Sequence, residues 1–172
     1  MLKIQGLVAH VCKSSVACSR EFLYETSTHQ LQQIIDMIKS LIKLSLKLPP
    51  CAFTFDVYAI FPLVVVGLRF RNRRLRREAI SLLLESPWPW REGVWDSWVA
   101  GNATKWVADI EDEGLRDEER ECDCEHVPED CVVQNVLMEH DVGGRKTTVS
   151  CLQPVREMEG ELIPRRVVIP WL

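Results

Sequence analysis

Arginines dominate one short segment of this sequence, because residues 69–77 contain six of them and no acidic residue. Leu75 lies within this arginine segment and Ala79 follows it. The two are four positions apart, which is the spacing of apolar residues on the buried face of a helix. Asn72 lies just before Arg73 and can cap the first amides of such a helix. The pattern therefore predicts a helix over residues 73–84, with most of the arginines outside its apolar face.

An apolar run precedes the arginines and supplies the other half of a helical hairpin. Ile60, Val64 and Leu68 follow helical spacing. Pro62 is tolerable only in the first turn of a helix, so we place the start of this helix near Ala59. Three consecutive valines in the run would also suit a buried strand, and periodicity alone leaves that alternative open.

Apolar periodicity predicts three further helices. Residues 2–17 and 28–47 each carry an amphipathic stripe, with a loop between them. Two prolines end the second of these helices. Asp96 or Ser97 caps the next helix, which we expect to end near Gly114.

The pattern changes after these helices. Residues 115–131 are acidic and lack periodicity, which is typical of a mobile linker. Residues 132–138 and 147–152 alternate as strands and are joined across two glycines, so they predict a β-hairpin. Residues 167–171 either add a third strand or dock Trp171 on the helical body.

These elements predict a mainly α-helical fold, with stacked helical hairpins and a small C-terminal β-hairpin. We divide the chain into a helical regulatory domain over residues 1–114, an acidic linker over 115–131 and a β-hairpin tail over 132–172. The length of 172 residues is enough for one domain with a real core. A composition of 47% hydrophobic and 27% charged residues is typical of a globular protein.

The net charge of -4 conceals an asymmetry along the chain. Residues 109–130 contain twelve acidic residues and two arginines, which leaves ten net negative charges. Opposite charge blocks predict pairing within the fold or with a partner, and they weigh against a uniformly basic nucleic-acid surface. A structural role, a protein partner and nucleic acid all remain open for the cluster formed by Arg69, Arg71, Arg73, Arg74, Arg76 and Arg77.

The seven cysteines form no repeating framework, which favours a reducing intracellular compartment. Cys122, Cys124, His126 and Cys131 are the best metal candidates, because thiolate and imidazole suit zinc. The Cys-x-Cys step is shorter than the usual spacing, however, and no second pair follows. We therefore predict free cysteines and no metal or cofactor in this chain.

Tryptophans and histidines are the other candidate site residues. Two tryptophans lie in a stiff Pro-Trp-Pro-Trp segment, and a third follows within a few residues. Trp88, Trp90 and Trp95 either bind a partner or pack against the neighbouring hairpin. The four histidines are scattered on dissimilar segments, and no catalytic motif accompanies them, so we predict that the chain is not an enzyme.

The order of the pieces in residues 50–115 resembles the C-terminal part of the regulatory region of fungal zinc-cluster transcription regulators. In that family an apolar helix with an internal Pro precedes an Arg-Arg-x-Ala-Ile-x-Leu-Leu helix and an Arg-Glu-Gly-x-Trp-Asp-Ser segment. The matching residues are Phe55, Asp56, Pro62, Leu63, Arg71, Asn72, Arg76, Arg77, Ala79, Ile80, Leu82, Leu83, Arg91, Glu92, Gly93, Trp95, Asp96, Ser97, Trp106, Val107, Glu111 and Glu113. Phe70 stands where the family often has Cys, and Arg73 stands where it often has Pro.

The resemblance implies transcriptional regulation in the nucleus through protein contacts or effector response. The six-cysteine cluster that binds zinc and DNA in the family is missing from these residues. Direct DNA binding by this chain is therefore not supported, and zinc is expected only in the missing module. We expect a fragment or a truncated form, with exposed helix surfaces that favour self-association.

Two rival functions follow from the same sequence. A helical interaction scaffold unrelated to transcription would share the packing pattern. A membrane-surface module would use the lysine face formed by Lys39, Lys43 and Lys47. The longest uncharged run, residues 57–68, is too short to span a bilayer, so we predict no transmembrane segment.

Overall fold

The computed structural model describes residues 4–9, 22–45, 53–54, 59–70, 72–85, 91–121, 126–156 and 160–172. Its helices are α1 (residues 4–9), α2 (Phe22–Ser45), α3 (Ile60–Arg69), α4 (Arg73–Leu84), α5 (Ser97–Glu113) and α6 (Asp117–Glu121), with a 3₁₀ turn at Glu129–Cys131. Its strands are β1 (Phe53–Thr54), β2 (Arg91–Glu92), β3 (Trp95–Asp96), β4 (Gln134–Asp141), β5 (Lys146–Pro154) and β6 (Leu162–Pro170).

Helices α1 to α4 enclose the larger hydrophobic core. Each contributes aliphatic side chains that are almost fully removed from water, and α5 adds Ala100 at the edge. Burying one such Leu or Ile side chain stabilises the fold by about 1.5–3 kcal/mol. The largest of these side chains are Ile4, Leu31, Ile34, Ile35, Ile38, Ile60, Leu63, Leu75 and Leu83.

The predicted α3–α4 hairpin is confirmed. Helix α3 follows Ala59, as predicted, and Pro62 lies in its first turn, where its missing amide costs no helical hydrogen bond. Asn72 caps α4, because its Oδ1 accepts a hydrogen bond from the Leu75 amide at 3.0 Å. Helix α4 occupies residues 73–84, as predicted.

Helix α5 packs closely against this hairpin because small residues stand at the crossings. A Cβ added at Gly67 would overlap the side chain of Thr104. A Cβ added at Gly101 would overlap the side chain of Leu84. The predicted bounds of α5 are confirmed, since Asp96 caps its start and Gly114 follows its end.

Two other helix predictions are only partly matched. Helix α2 begins at Phe22 rather than at residue 28, so the predicted loop before it is in part helical. Of the helix predicted over residues 2–17, the structure describes residues 4–9, and the rest lies outside the described residues. Within the described part of the chain, no helix is both long and apolar enough to cross a bilayer.

The prediction of a mainly α-helical fold with one β-hairpin is wrong. The structure is mixed α/β, with two three-stranded sheets in the orders β1-β2-β3 and β4-β5-β6. The first sheet was missed because two-residue strands leave no periodicity in a sequence. In the second sheet the third-strand alternative for the C-terminal residues is the observed one, but the strand is longer than residues 167–171, because β6 pairs with β5 over nine residues from Leu162 to Pro170.

The second sheet packs on α5 through one of its faces. Val149 and Ile169 meet Val99 and Ala103 of the helix. A neighbouring cluster joins Val107, Ile110, Val133 and Cys151. Helix α5 therefore lies between the α3–α4 hairpin and the sheet, and it carries contacts in both directions.

Residues 115–131 were predicted to be a linker without secondary structure. The described part instead forms α6 and the 3₁₀ turn, and it buries Leu115, Val127 and Cys131 in a small cluster of its own. Periodicity missed these elements because both are under two turns long. The division into three domains stays a prediction.

Candidate functional site

Burial divides the arginine cluster, and Arg76 is its buried member. Its side chain is 4% exposed, and the side chain of Glu111 on α5 is 2% exposed. Arg76 Nη1 lies 2.5 Å from Glu111 Oε2, and Arg76 Nε donates a hydrogen bond to the Gly67 carbonyl at 2.8 Å. One guanidinium thus ties α4 to both α3 and α5.

The other oxygen of Glu111 extends this connection toward the sheet. Glu111 Oε1 accepts a hydrogen bond from the amide of Val133, just before β4, at 3.0 Å. Buried charges are tolerated only when they are paired and hydrogen-bonded, because removing them from water is costly. Arg76 and Glu111 form an ion pair, although Glu111 Oε2 accepts no hydrogen bond, and each side chain makes one hydrogen bond to a backbone group. The pair thus connects three helices with the start of the second sheet.

Two further arginines of the cluster pair partly with neighbouring elements. Arg73 Nε lies 3.5 Å from Asp112 Oδ1 at the end of α5. Arg74 Nη2 donates to Gln32 Oε1 of α2 at 2.8 Å, and its Nη1 lies 3.5 Å from Glu78 Oε2. The Arg74 side chain remains 62% exposed, so these contacts leave most of its surface in water.

Arg69 and Arg77 are exposed, and neither pairs with a carboxylate among the residues that the structure describes. Arg77 is three positions from Arg74, so the two are neighbours on the surface of α4. Arg69 ends α3 and leads into that helix. We call Arg69, Arg74 and Arg77 the arginine surface. Arg71, the remaining member of the cluster, lies outside the described residues.

The acidic end of α5 and the segment after it are held by Arg165 of β6 and by Arg156, which follows the end of β5. Arg165 Nη2 lies 2.8 Å from Glu113 Oε2. Arg156 donates to both carboxylate oxygens of Glu119, at 2.5 and 3.1 Å, and to Asp130 at 2.6 Å. Arg156 and Arg165 lie outside the basic block of residues 69–77. The acidic block is therefore paired by these two arginines as well as by Arg73 and Arg76 of the basic block.

This pairing shifts the pKa values of both partners. Hydrogen bonds from Arg156 lower the pKa of Glu119 from 4.5 to about 2. The hydrogen bond to Glu119 raises the pKa of Arg156 above its ordinary value. Glu119 and Arg156 are therefore both charged at neutral pH, and their ion pair holds α6 against the second sheet.

Glu92 is a buried carboxylate, a feature often found at functional sites, and here it has a structural role. It has no exposed surface, and its carboxylate accepts hydrogen bonds from the Ala59 amide at 3.0–3.1 Å and from the Ile60 amide at 2.8 Å. A carboxylate at a helix N-terminus also favours the helix dipole. Glu92 thus caps α3 from 33 positions away along the chain.

The rest of the Arg-Glu-Gly-x-Trp-Asp-Ser segment is structural as well. Gly93 has a φ of 58°, a conformation that glycine adopts at low cost. Asp96 accepts a hydrogen bond from the Val99 amide at 3.1 Å and pairs with Arg91 at 2.8 Å. The segment therefore connects α3 with α5, because Glu92 caps the first helix and Asp96 caps the second. The sequence pattern identified the segment as a motif but did not indicate that Glu92 caps α3.

The three candidate tryptophans do not assemble into a described site. Trp95 is half-buried at the edge of the larger core, with its ring centre 5.6 Å from that of Phe61. This contact is the packing alternative of the sequence prediction. Trp88 and Trp90 lie outside the described residues.

The candidate metal ligands that the structure describes do not form a metal site. The Cys131 thiol is packed against Leu115 and Val127, and burial raises its pKa to about 11. A thiol must lose its proton to bind zinc, so this environment disfavours it as a ligand. His126 is exposed, and Cys122 and Cys124 lie outside the described residues. Across the described ranges, no group of three or more His, Cys, Asp and Glu side chains is arranged to hold a metal ion.

The arginine surface can offer cationic groups to carboxylates or phosphates.

Comparisons with protein-family models, with curated proteins and with solved structures find no match for this chain.

Proposed function

We propose that this chain is a non-catalytic protein-interaction module of transcriptional regulation in the nucleus. It would act like the regulatory region of fungal zinc-cluster regulators, as the resemblance over residues 50–115 implies. In this proposal the arginine surface binds an acidic segment of a partner protein. The α3–α4 hairpin and the capped joint before α5, both at the positions of the family's motifs, support it.

The unequal pairing of the arginines carries the proposal. Arg76 and Arg73 are drawn to carboxylates of α5, whereas Arg69 and Arg77 have no carboxylate partner among the described residues. Exposed arginines can form bidentate hydrogen bonds with carboxylates and are enriched at protein interfaces. The buried pair would position the surface, and the exposed side chains would bind.

Acidic groups near the arginine surface favour a protein partner over nucleic acid. Asp112 lies beside Arg73, and Glu78 lies beside Arg74. A phosphate backbone presents a row of negative charges, which nearby carboxylates repel. A short acidic peptide brings fewer negative charges near Asp112 and Glu78 than a phosphate backbone does, so the same carboxylates repel it less.

The membrane-surface alternative loses part of its lysine face. Lys39 pairs with Glu78 of α4 and is thereby drawn toward the hairpin. Lys43 is exposed on α2, and Lys47 lies outside the described residues. The described part of α2 thus leaves one free lysine of this face, and one lysine adds only about 1 kcal/mol of attraction to an anionic surface.

A tethered reporter assay tests the proposal. The chain is fused to a heterologous DNA-binding domain, and reporter transcription and nuclear localisation are measured in fungal cells. We expect the fusion to change transcription at least severalfold. The double charge reversal Arg69→Glu with Arg77→Glu should abolish that change, because it removes the basic surface and leaves Arg76 in place.

Arg116→Glu is the matched control, because it reverses an exposed arginine on another segment. It should leave reporter transcription unchanged. A folded and expressed fusion that never alters transcription would overturn the proposal. Equal loss of signal with the control variant would refute the role of the arginine surface, and exclusion of the tagged chain from the nucleus would favour a scaffold outside transcription.

A further inference from the structure

Among the residues that the structure describes, β6 pairs only with β5 and is an edge of the second sheet. Its register fixes which backbone groups face outward. The amide of Val155 donates to Glu161 at 3.0 Å, and the amide of Trp171 donates to Arg145 at 2.8 Å. These two pairs bracket the nine-residue register of β5 with β6. Hydrogen-bonded and non-bonded pairs alternate in an antiparallel ladder, so odd-numbered residues of β6 bond to β5. Even-numbered residues turn their backbone groups to the open edge.

Prolines limit the donors at this edge. Pro164 and Pro170 occupy two of the outward positions, where a missing amide costs no ladder bond. Between them the outward amides belong to Arg166 and Val168. The two prolines are each three residues from Val167, so the sequence of outward donors is symmetric about that residue.

The opposite edge of the same sheet is blocked. Strand β4 has a register shift between Gln134 and Leu137, and Asn135 has a positive φ of 53°. A bulge of this kind bends the strand and disrupts its hydrogen-bond ladder, which hinders strand addition at this edge. Strand β6 has no register shift over its nine pairs.

The side chains at the open edge leave apolar surface uncovered. Val168 is 52% exposed and Leu162 is 36% exposed on the face turned away from α5. Arg166 is exposed between them, and no acidic side chain of the described residues pairs with it.

We propose that two copies of this chain pair through β6, antiparallel and centred on Val167, to form a continuous six-stranded sheet. Arg166 of one copy then faces Val168 of the other, and the outward amides of both residues bond across the junction. The donor pattern is self-complementary, as a twofold interface requires. Because β4 is blocked, the assembly closes at two copies.

Charge and proline positions favour this register. Centring the pairing on Arg166 would place two guanidinium groups directly opposite each other, which destabilises a strand pair. Centring it on Val167 places each proline opposite a proline of the other copy, so every outward amide between the prolines has a partner. Four backbone bonds and modest apolar contact predict a weak dimer that forms at high protein concentration.

The test is sedimentation equilibrium of the whole chain over a wide concentration range. We expect a reversible monomer–dimer equilibrium. Val168→Pro should weaken dimerisation about tenfold or more, because it removes one outward donor per copy and no bond to β5. The strand already accepts proline at the two positions of the same phase. Val168→Thr keeps the amide and is the matched control, which should dimerise like the original chain.

Amide hydrogen exchange on the original chain gives a second readout that needs no variant. The Arg166 and Val168 amides should become protected as protein concentration rises. A chain that stays monomeric at high concentration, or a dimer that Val168→Pro leaves intact, overturns the proposal. So does an edge that gains protection only when an acidic peptide is added.

Discussion

The same chemistry, an arginine with a carboxylate, serves two regions of this molecule differently. Arg76 and Glu111 meet inside the helical body, where both side chains are nearly excluded from water. Arg156 and Glu119 meet at the margin of the second sheet, where the glutamate side chain is 25% exposed. Water can replace a lost partner at the margin but not in the interior, so the buried pair has the larger effect on stability.

The largest expected effect comes from breaking the buried pair. Arg76→Ala leaves Glu111 charged and buried, which should lower the free energy of unfolding by about 3–5 kcal/mol. Urea denaturation followed by circular dichroism measures this loss. Arg77→Ala, one residue along α4 and exposed, should change the free energy by less than about 0.5 kcal/mol. Equal effects of the two variants would show that burial does not divide the cluster.

The distant helix cap should rank next. Glu92→Ala leaves the amides of Ala59 and Ile60 without their acceptor in a buried site. We expect a loss of about 3 kcal/mol in the free energy of unfolding, measured by the same denaturation. Val94→Ala changes an exposed residue of the same turn and should be nearly neutral. A neutral Glu92→Ala would mean that α3 does not depend on this cap.

Close packing between α3 and α5 should be sensitive to one methyl group. Gly67→Ala places a Cβ against Thr104 Cγ2 and should cost about 1–3 kcal/mol. Thr104→Ser removes that methyl group and should restore part of the loss in the double variant. Gly6→Ala is the control, because nothing lies near its added Cβ. Failure of Thr104→Ser to relieve the defect would argue against the proposed contact.

The smallest effect should be a pH dependence at the sheet margin. The pKa of Glu119 falls from 4.5 to about 2 on folding, so its stabilisation is complete above pH 4.5 and is lost as pH falls toward 2. Glu119→Gln should flatten the loss of stability in that window. Glu118→Gln, which alters an exposed neighbour, should not. An NMR titration that finds an ordinary pKa for Glu119 would remove the basis of this prediction.

Sequence reasoning succeeded where the determining contacts are local. Pro62 and Asn72 mark the starts of α3 and α4, and Asp96 marks the start of α5, because a cap acts within three or four residues. The pairing of the basic and acidic blocks could also be anticipated from the charge asymmetry. The charge pattern did not indicate which arginine of the cluster is buried.

It failed where partners are far apart in the chain. Glu92 reaches the start of α3 across 33 positions, and Arg156 holds Glu119 across 37. No periodicity reports such contacts, so the cap and the folding of residues 115–121 were missed. Strand β6 was underestimated because Pro164 and Pro170 interrupt its alternation, although their outward positions leave its pairing with β5 intact.

Arg76 and Glu111 form the buried connection between the helices and the sheet. A double-mutant cycle with Arg76→Ala, Glu111→Ala and the combined variant measures their coupling directly by urea denaturation. We expect a coupling of about 2 kcal/mol or more, larger than that from the matching cycle on Arg156 and Glu119. A coupling near zero, or one no larger than that of the surface pair, would show that Arg76 and Glu111 do not connect the helices with the sheet.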